Sequence, residues 1–159
     1  MPDQYQDRYP FRTAALLAEA PAKAARNWMD RGELYFLEEI DKRREGIEWR
    51  RFSIFDVMRL AVTRRLVDVG VPVRIASTIA FGMFEAIDIF LLSQGRISKN
   101  KFIQRMADRT IFAWRKGDGW DVRQGRAVPP EAAAVFVTVD TSAIVGGVFD
   151  RLDALDAGD

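Results

Sequence analysis

The residues most suited to chemistry lie in the stretch 21–34, Pro-Ala-Lys-Ala-Ala-Arg-Asn-Trp-Met-Asp-Arg-Gly-Glu-Leu. Pro21 fits the first turn of a helix and Gly32 fits the position just beyond its end, so the stretch predicts a helix of about three turns. Alanines dominate one side, which allows close packing against a neighbouring helix. The other side carries long hydrogen-bond donors, which are Lys23, Arg26, Asn27 and Arg31. This arrangement is typical of a recognition helix.

The sequence offers no catalytic or metal-binding constellation. It contains no cysteine and no histidine, which excludes disulfides and thiolate metal sites and removes the commonest general base. Residues 117–119, Gly-Asp-Gly, have the composition of a turn, and Gly146-Gly147 lacks the spacing of a phosphate-binding loop. The scattered acidic residues show no metal-ligand spacing. We therefore predict that the protein is not an enzyme and has no metal site and no cofactor.

Charge is distributed unevenly along a chain whose formal net charge is only +1. Residues 42–65 hold eight Lys or Arg against three Asp or Glu, and residues 96–126 hold nine against three. Residues 127–159 hold one against six. Two basic blocks beside an acidic tail suit a surface that partly meets a polyanion. Each block taken alone also fits a solvated face without a partner.

Length and composition indicate a folded, globular protein. The 159 residues suit one domain, or one small domain with an appendage, and the 48% hydrophobic content supplies a core. The N-terminus is polar, and the apolar run 81–92 is too short to span a bilayer and contains Glu85 and Asp88. We therefore expect a cytoplasmic protein that makes no membrane contact.

The predicted recognition helix lies between a short helix and a basic hairpin. Thr13 is expected to cap the first helix, at 14–19, and two short helices joined by a tight turn form a helix-turn-helix. The apolar runs 34–37 and 49–52 predict two strands joined by a charged loop that turns near Gly46. The basic side chains of this hairpin, or wing, are Lys42, Arg43, Arg44, Arg50 and Arg51. They suit either a phosphate backbone or a solvated hairpin tip.

A longer helix is predicted to close the core of this half. Ser53 and Asp56 have the spacing of a capping box at its start, and Gly70 is expected to end it. Its apolar residues recur near helical spacing and are Ile54, Val57, Met58, Ala61, Val62, Leu66 and Val69. Pro72 begins the next helix. The predicted buried face of that helix is Val73, Ile75, Ala76 and Ile79.

Two segments resemble MerR-type winged-helix regulators. Residues 26–34, Arg-Asn-Trp-Met-Asp-Arg-Gly-Glu-Leu, look like the family segment in which an Arg, two aromatics and an acid precede Gly-Leu. Residues 49–60, Trp-Arg-Arg-Phe-Ser-Ile-Phe-Asp-Val-Met-Arg-Leu, resemble the family's aromatic-Arg-x-Tyr-Ser-x-x-Asp-Val-x-Arg-Leu signature. The resemblance covers about residues 11–80. It implies a helix-turn-helix that reads the major groove, a wing that grips the adjacent backbone, and a following helix that pairs two subunits.

Carried over to this chain, the resemblance places Lys23 toward base edges and Arg26 and Arg50 at backbone-contacting positions. Asn27 stands where the family has its first aromatic residue, and Met29 stands where it has the acid. The complete set of predicted DNA contacts is Thr13, Lys23, Arg26, Asn27, Arg31, Lys42, Arg43, Arg44, Arg50 and Arg51.

Beyond residue 80 the sequence predicts an apolar helical segment followed by a small sheet. The segment 81–92 is apolar nearly all round, so it must be buried inside the subunit or against a second copy. Its expected dimerisation residues are Phe81, Phe84, Ile87, Phe90 and Leu91. The remaining predicted elements are a helix at 99–108, a hairpin of 110–114 and 120–123, a strand at 134–139, and a helix at 142–155 capped by Thr141.

These elements give an α+β fold with two parts. A MerR-like winged helix-turn-helix domain is expected at 11–80, and a helical and α+β dimerisation or interaction module at 81–159. Phe112, Trp114 and Trp120 fit a ligand pocket, the core of the sheet or a dimer interface.

The function expected is that of a homodimeric, sequence-specific regulator of transcription. It binds double-stranded DNA without a small-molecule inducer, and residues 81–159 leave room for a protein partner. One alternative is an architectural or excisionase-like protein that bends DNA. Another is a protein–protein adaptor that presents the charged wing to an acidic partner.

Overall fold

The computed structural model describes residues 9–38, 51–132 and 134–158, which form an α+β fold with two small antiparallel sheets. The helices are α1 (Phe11–Leu17), α2 (Ala22–Asp30), α3 (Tyr35–Glu38), α4 (Ile54–Asp68), α5 (Val73–Phe81), α6 (Ala86–Ser93), α7 (Lys99–Met106) and α8 (Thr141–Asp156). The strands are β1 (Tyr9–Pro10), β2 (Arg51–Phe52), β3 (Thr110–Lys116), β4 (Gly119–Gly125) and β5 (Val137–Val139). The predicted α+β class is confirmed.

One cluster of buried apolar residues joins the two halves of the chain. Phe102 of α7 is fully buried within it, and the ring centroids of Phe55, Phe84 and Phe149 lie 6.1, 5.6 and 6.3 Å from that of Phe102. Helix α4 packs against both α5 and α8. The two parts expected from the sequence therefore share this core.

Helix α2 begins and ends where its sequence predicts. Pro21 precedes its first turn, and Gly32 follows its end at φ +64°. The Gly32 N–H donates to the Met29 carbonyl at 3.0 Å, and the Glu33 N–H donates to the Trp28 carbonyl at 2.9 Å. This is a Schellman motif, which needs a residue in the left-handed region, and glycine adopts that conformation without a steric cost. The end of the helix is thus fixed by local chemistry.

The capping box at the start of α4 is also confirmed. Ser53 Oγ accepts a hydrogen bond from the Asp56 N–H at 3.2 Å, and Asp56 Oδ2 accepts one from the Ser53 N–H at 3.1 Å. Gly70, at φ +95°, follows the end of the helix. Two residues of the predicted buried faces are in fact exposed, Val69 after α4 and Ile75 on α5.

The prediction of a strand at 34–37 is wrong, because Tyr35–Glu38 forms the short helix α3. The Tyr35 N–H donates to Ser77 Oγ of α5 at 2.6 Å. The buried side chains of the segment are Leu34, Phe36 and Leu37. An apolar run of four residues does not distinguish a strand from a buried helical turn. Packing against α5 decides for the helix.

The partner of β2 differs from the prediction as well. Strand β2 pairs with β1, so that Tyr9 lies opposite Phe52 and Pro10 lies opposite Arg51. The rest of the predicted wing, including Lys42, Arg43, Arg44 and Arg50, lies outside the described residues. The β1–β2 ribbon brings the beginning of α1 beside the beginning of α4.

Two predicted helix caps are wrong. Helix α1 begins directly after Pro10, whose fixed φ suits that position, so Thr13 lies inside the first turn. Helix α8 begins at Thr141, and Asp140 is its N-cap, accepting from the Ala143 N–H at 3.0 Å. The Thr141 hydroxyl instead donates to the Met106 carbonyl at 2.7 Å. A contact with a distant residue thus uses the Thr141 hydroxyl in place of a local cap.

The apolar run 81–92 is not one helix. Helix α5 ends at Phe81 and α6 begins at Ala86, and the turn between them buries Met83 and Phe84. Taken singly, the helices of the described residues all lack the length and apolarity needed to cross a membrane. Only the pair α5 and α6, bent by 62°, reaches that length and composition.

Most of the C-terminal elements agree with the prediction. Strands β3 and β4 form the expected hairpin, and β5 adds to the other side of β3 with Val139 opposite Ile111. Helices α7 and α8 bury the expected faces, including Met106 and Val148. The strand predicted at 134–139 is shorter, because only Val137–Val139 pairs with β3, while Val135 is 84% exposed.

Candidate nucleic-acid interface

Helix α2 has an inner face that packs on the core and an outer face that is polar. Ala25 is fully buried, whereas Lys23, Asn27 and Arg31 are exposed. Because these three follow one another at intervals of four residues, they lie on one side of the helix. The nine residues of α2 span about 13 Å. An α-helix with its side chains is about 10–12 Å across, which is compatible with the width of the major groove of DNA, about 12 Å.

Arg26 lies where α2 meets α1. Its Cζ is 5.2 Å from the ring centroid of Phe11, within the range of a cation–π contact. Residues Pro10, Arg12 and Thr13 line a shallow depression together with this pair. The contact with Phe11 holds the guanidinium beside the first turn of α1. Thr13 is therefore brought next to Arg26, as the prediction of a shared surface requires.

The β1–β2 ribbon places the backbone of Arg51 beside the start of α1. Arg51 pairs with Pro10, the residue that precedes α1, and its side chain is exposed. Arg12 is exposed in the first turn of α1. We call Arg12, Arg26 and Arg51 the basic cluster. The fold thus brings together two arginines that the sequence predicted and one that it did not.

Arg12 is the residue that sequence reasoning missed, although a signal for it exists. The first turn of α1 contains no acidic residue, and it carries this arginine. The positive end of the helix dipole favours a carboxylate at such a position. A basic side chain there is locally unfavourable by about 0.3–1 kcal/mol, and this departure from the usual pattern is the signal that the sequence offered.

Several basic residues of the second basic block have carboxylate partners. In the second basic block, Arg105 and Arg109 both pair with Asp88, and Arg126 Nε lies 2.6 Å from Asp108 Oδ1. The hydrogen bond from Arg126 lowers the pKa of Asp108, and that carboxylate raises the pKa of Arg126. In the described part of the chain, no carboxylate pairs with the basic cluster. Among the described residues, the basic cluster is therefore a group of arginines without a carboxylate partner, located where α1, α2 and β2 meet.

Arg59, an arginine of the MerR-like signature, points into the protein. Its side chain pairs with Asp56 at 3.3 Å and stacks over the rings of Phe81 and Phe84 at 5.2 and 5.6 Å. Desolvation by burial lowers the pKa of Arg59, and the charge of Asp56 opposes that shift. This arginine ties the start of α4 to the turn after α5 and is not part of the outer surface.

The predicted dimerisation residues divide between surface and core. Phe81, Ile87 and Phe90 are 38%, 50% and 50% exposed, and Leu91 is half-buried. Phe84 is only 7% exposed. It belongs to the core of its own subunit, because the turn between α5 and α6 directs it toward Phe55 and Phe102. The prediction that Phe84 faces a second subunit is corrected on this ground.

The aromatic residues of the sheet pack inside the protein. Phe112 and Trp114 are buried, and the ring of Phe112 lies 6.2 Å from that of Phe136. Trp120 is half-buried and packs beside Gly70, at the end of α4. Of the three roles that the sequence left open for these residues, the sheet core fits these contacts.

No model of a known protein family matches this chain, and no curated protein matches it. Among the described residues, no three acidic side chains are grouped so that they would hold a metal ion. The resemblance to MerR-type regulators therefore rests on the sequence motifs alone, and the case for an interface rests on the geometry of α1, α2 and β2.

Proposed function

We propose that this protein is a sequence-specific regulator that binds double-stranded DNA through a MerR-like winged helix-turn-helix. The observation that carries the proposal is the basic cluster, which has no carboxylate partner in the described part of the chain and adjoins the exposed polar face of α2. A concentrated positive surface beside a helix with exposed donors fits a polyanion with readable grooves.

In the proposed complex, α2 enters the major groove and the basic cluster contacts the phosphates beside it. Lys23 reaches guanine O6 and N7, and Asn27 makes paired hydrogen bonds with adenine N6 and N7. The guanidinium groups of the cluster donate to phosphate oxygens, which fixes the position of the helix in the groove. The basic residues at 42–50 extend this backbone contact as a wing, and that contact remains a prediction.

The packing of α1 supports this arrangement. Helix α1 contacts both α2 and α4, and its buried side chains include Ala14, Ala15 and Leu17. Small residues allow close approach, so α1 supports α2 from behind and leaves the outer face of α2 free. The turn between the two helices is short, as in a helix-turn-helix.

A genome-wide DNA-occupancy experiment separates this proposal from its two alternatives. A regulator is expected to concentrate at promoters that share one sequence motif. An architectural or excisionase-like protein would instead occupy recombination sites or broad bent regions. An adaptor would show no sequence-dependent enrichment, and that result would contradict DNA reading altogether.

We further propose that the regulator is a homodimer, formed through the apolar side chains that α5 and α6 leave exposed. Replacing Ile87 and Phe90 by glutamate is expected to convert the dimer into a monomer, because each charge would be buried at the interface without a partner. Light scattering coupled to size exclusion, with protein at micromolar concentration, measures the change.

Val135→Glu supplies the matched control for this variant. Like Ile87 and Phe90, Val135 is an exposed apolar residue, but it lies in the loop before β5 and not on α5 or α6. Its replacement is therefore expected to leave the dimer intact. If the natural chain is already a monomer at micromolar concentration, the homodimer proposal is wrong. There would then be no reason to expect two half-sites in the DNA.

A further inference from the structure

A cleft of about 500 Å³ lies where the two halves of the chain meet, away from the basic cluster. Its walls are α4, α8, the edge strand β5 and the residues that follow α1. The lining is largely apolar and includes Ala61, Val139 and Ile144. A volume of this size is within the range of small-molecule sites in proteins, which are mostly apolar and contain a few polar groups.

Two arginines stand at the rim of the cleft and share one carboxylate. Arg65 Nη2 lies 2.8 Å from Glu19 Oε2, and Arg151 Nη1 lies 3.4 Å from the same oxygen. The Nε of Arg151 donates to the Leu17 carbonyl at 2.8 Å. Both guanidinium groups are therefore held in place by α1, and both retain further N–H donors.

Helix α8 makes room for one of these arginines. Gly147 lies in the helix interior, where glycine is unfavourable. A Cβ atom at this position would lie only 3.2 Å from Arg151 Nη1. The glycine thus allows the guanidinium to lie flat against the helix at the edge of the cleft, which accounts for a residue that the helix would otherwise avoid.

The charges around the cleft leave an excess of positive charge at these arginines. Arg65 and Arg151 carry two positive charges against the single negative charge of Glu19. Of the other two carboxylates of the lining, Asp68 pairs with Arg64, and Asp140 keeps its negative charge but lies eleven residues before Arg151, about 16 Å along α8. Arg65 and Arg151 remain partly accessible, with side chains 50% and 31% exposed.

We propose that this cleft binds a small amphipathic carboxylate. Its carboxylate joins Glu19 at Arg65 and Arg151 and balances their remaining charge, and its apolar body covers the floor formed by α4, β5 and α8. Arginine suits this task, since its planar fork matches a carboxylate with two parallel hydrogen bonds. The site is separate from the proposed DNA contacts and does not depend on them.

Isothermal titration of the purified full-length chain with octanoate tests the proposal, and 1-octanol serves as the uncharged probe of equal length. One octanoate is expected to bind per chain, and octanol is expected to bind about tenfold more weakly or worse, because it lacks the charge-assisted hydrogen bonds. Arg65→Gln is expected to weaken octanoate binding to a similar degree. Arg96→Gln is the matched control, because Arg96 is an exposed arginine that does not line the cleft.

Ala143→Phe provides a second variant that does not touch the ion pairs. Ala143 is exposed on the cleft side of α8, so a larger side chain there would block octanoate without disturbing the core. The proposal is overturned if the natural chain shows no saturable octanoate binding, if octanol binds equally well, or if Arg65→Gln and Ala143→Phe both bind octanoate like Arg96→Gln. None of these outcomes depends on whether the protein binds DNA.

Discussion

A variant in which Arg12, Arg26 and Arg51 are replaced by glutamine is expected to bind DNA with a much weaker salt dependence than the natural chain. Each phosphate contact contributes about −0.9 to the slope of log Kobs against log[salt], so losing three flattens the slope by about 2.7. At 0.1 M salt the loss of affinity is on the order of a hundredfold or more. Random DNA and the preferred site are weakened together, since phosphate contacts carry no sequence information. Anisotropy titrations at several salt concentrations measure both quantities.

The control for this variant is a second triple replacement, Arg115, Arg123 and Arg126 to glutamine. It removes the same amount of charge from exposed positions on β3, β4 and the residues after β4, so a general effect of net charge would appear in both variants. We expect its salt slope to match that of the natural chain. Equal flattening in the two variants would show that the basic cluster is not the DNA surface.

The fold itself should survive the loss of the basic cluster. Arg12 and Arg51 are exposed, and the stacking of Arg26 on Phe11 contributes about 0.5–1 kcal/mol at such a site. Circular dichroism of the variant, compared with that of the natural chain, therefore separates lost contacts from lost structure.

Replacing Phe102 by alanine is expected to lower the free energy of unfolding by about 3–5 kcal/mol, the usual cost of deleting a buried phenylalanine side chain. The ring lies at the meeting point of α4, α7, α8 and the turn after α5, where Phe55, Phe149 and Phe84 surround it. Such a loss is a large share of the stability of a domain of this size. Urea denaturation, monitored by tryptophan fluorescence and by circular dichroism, gives the free energy of unfolding.

The shape of the unfolding transition carries a second result. Because Phe102 touches Phe55 of α4 as well as Phe149 of α8, the change is expected to shift one cooperative transition of the whole chain. Leu16→Ala on the exposed side of α1 should shift the transition much less, since Leu16 is 67% exposed. A different result would be two separate unfolding transitions, of which Phe102→Ala shifts only the one that belongs to residues 81–159. That result would show that 11–80 and 81–159 fold as independent domains.

Elements whose ends are set by local chemistry were predictable from the sequence. Gly32 and Gly70 adopt positive φ values after α2 and α4, and the carboxylate of Asp56 completes the capping box with Ser53. The turn around Gly117, also at positive φ, joins β3 to β4 in the predicted hairpin. In each case a few neighbouring residues contain all the atoms that determine the backbone conformation.

Elements that depend on distant contacts were not predictable. The run 34–37 has the composition of a strand, but a hydrogen bond to Ser77 and burial against α5 make it a helix. Thr141 is a residue type that is common at N-caps, but its hydroxyl donates a hydrogen bond to the Met106 carbonyl. The sequence of the apolar run 81–92 predicts one helical segment. In the structure the chain turns between Phe81 and Ala86, and Phe84 in that turn packs against Phe102. Propensity is a weak preference, which tertiary packing overrides.

The residues of the candidate interface likewise include some that the sequence placed together and others that only the fold brought together. The sequence by itself determined that Lys23, Asn27 and Arg31 share the outer face of one helix, because helical spacing fixes which side chains are neighbours. Only the tertiary structure decided that Arg12 and Arg51 join Arg26, because the pairing of β1 with β2 connects segments far apart in the chain. The same holds for Arg105, Arg109 and Arg126 of the second basic block, which pair with Asp88 and Asp108 only after folding. A sequence shows how much charge a segment carries, but the partners that neutralise that charge are chosen by the fold.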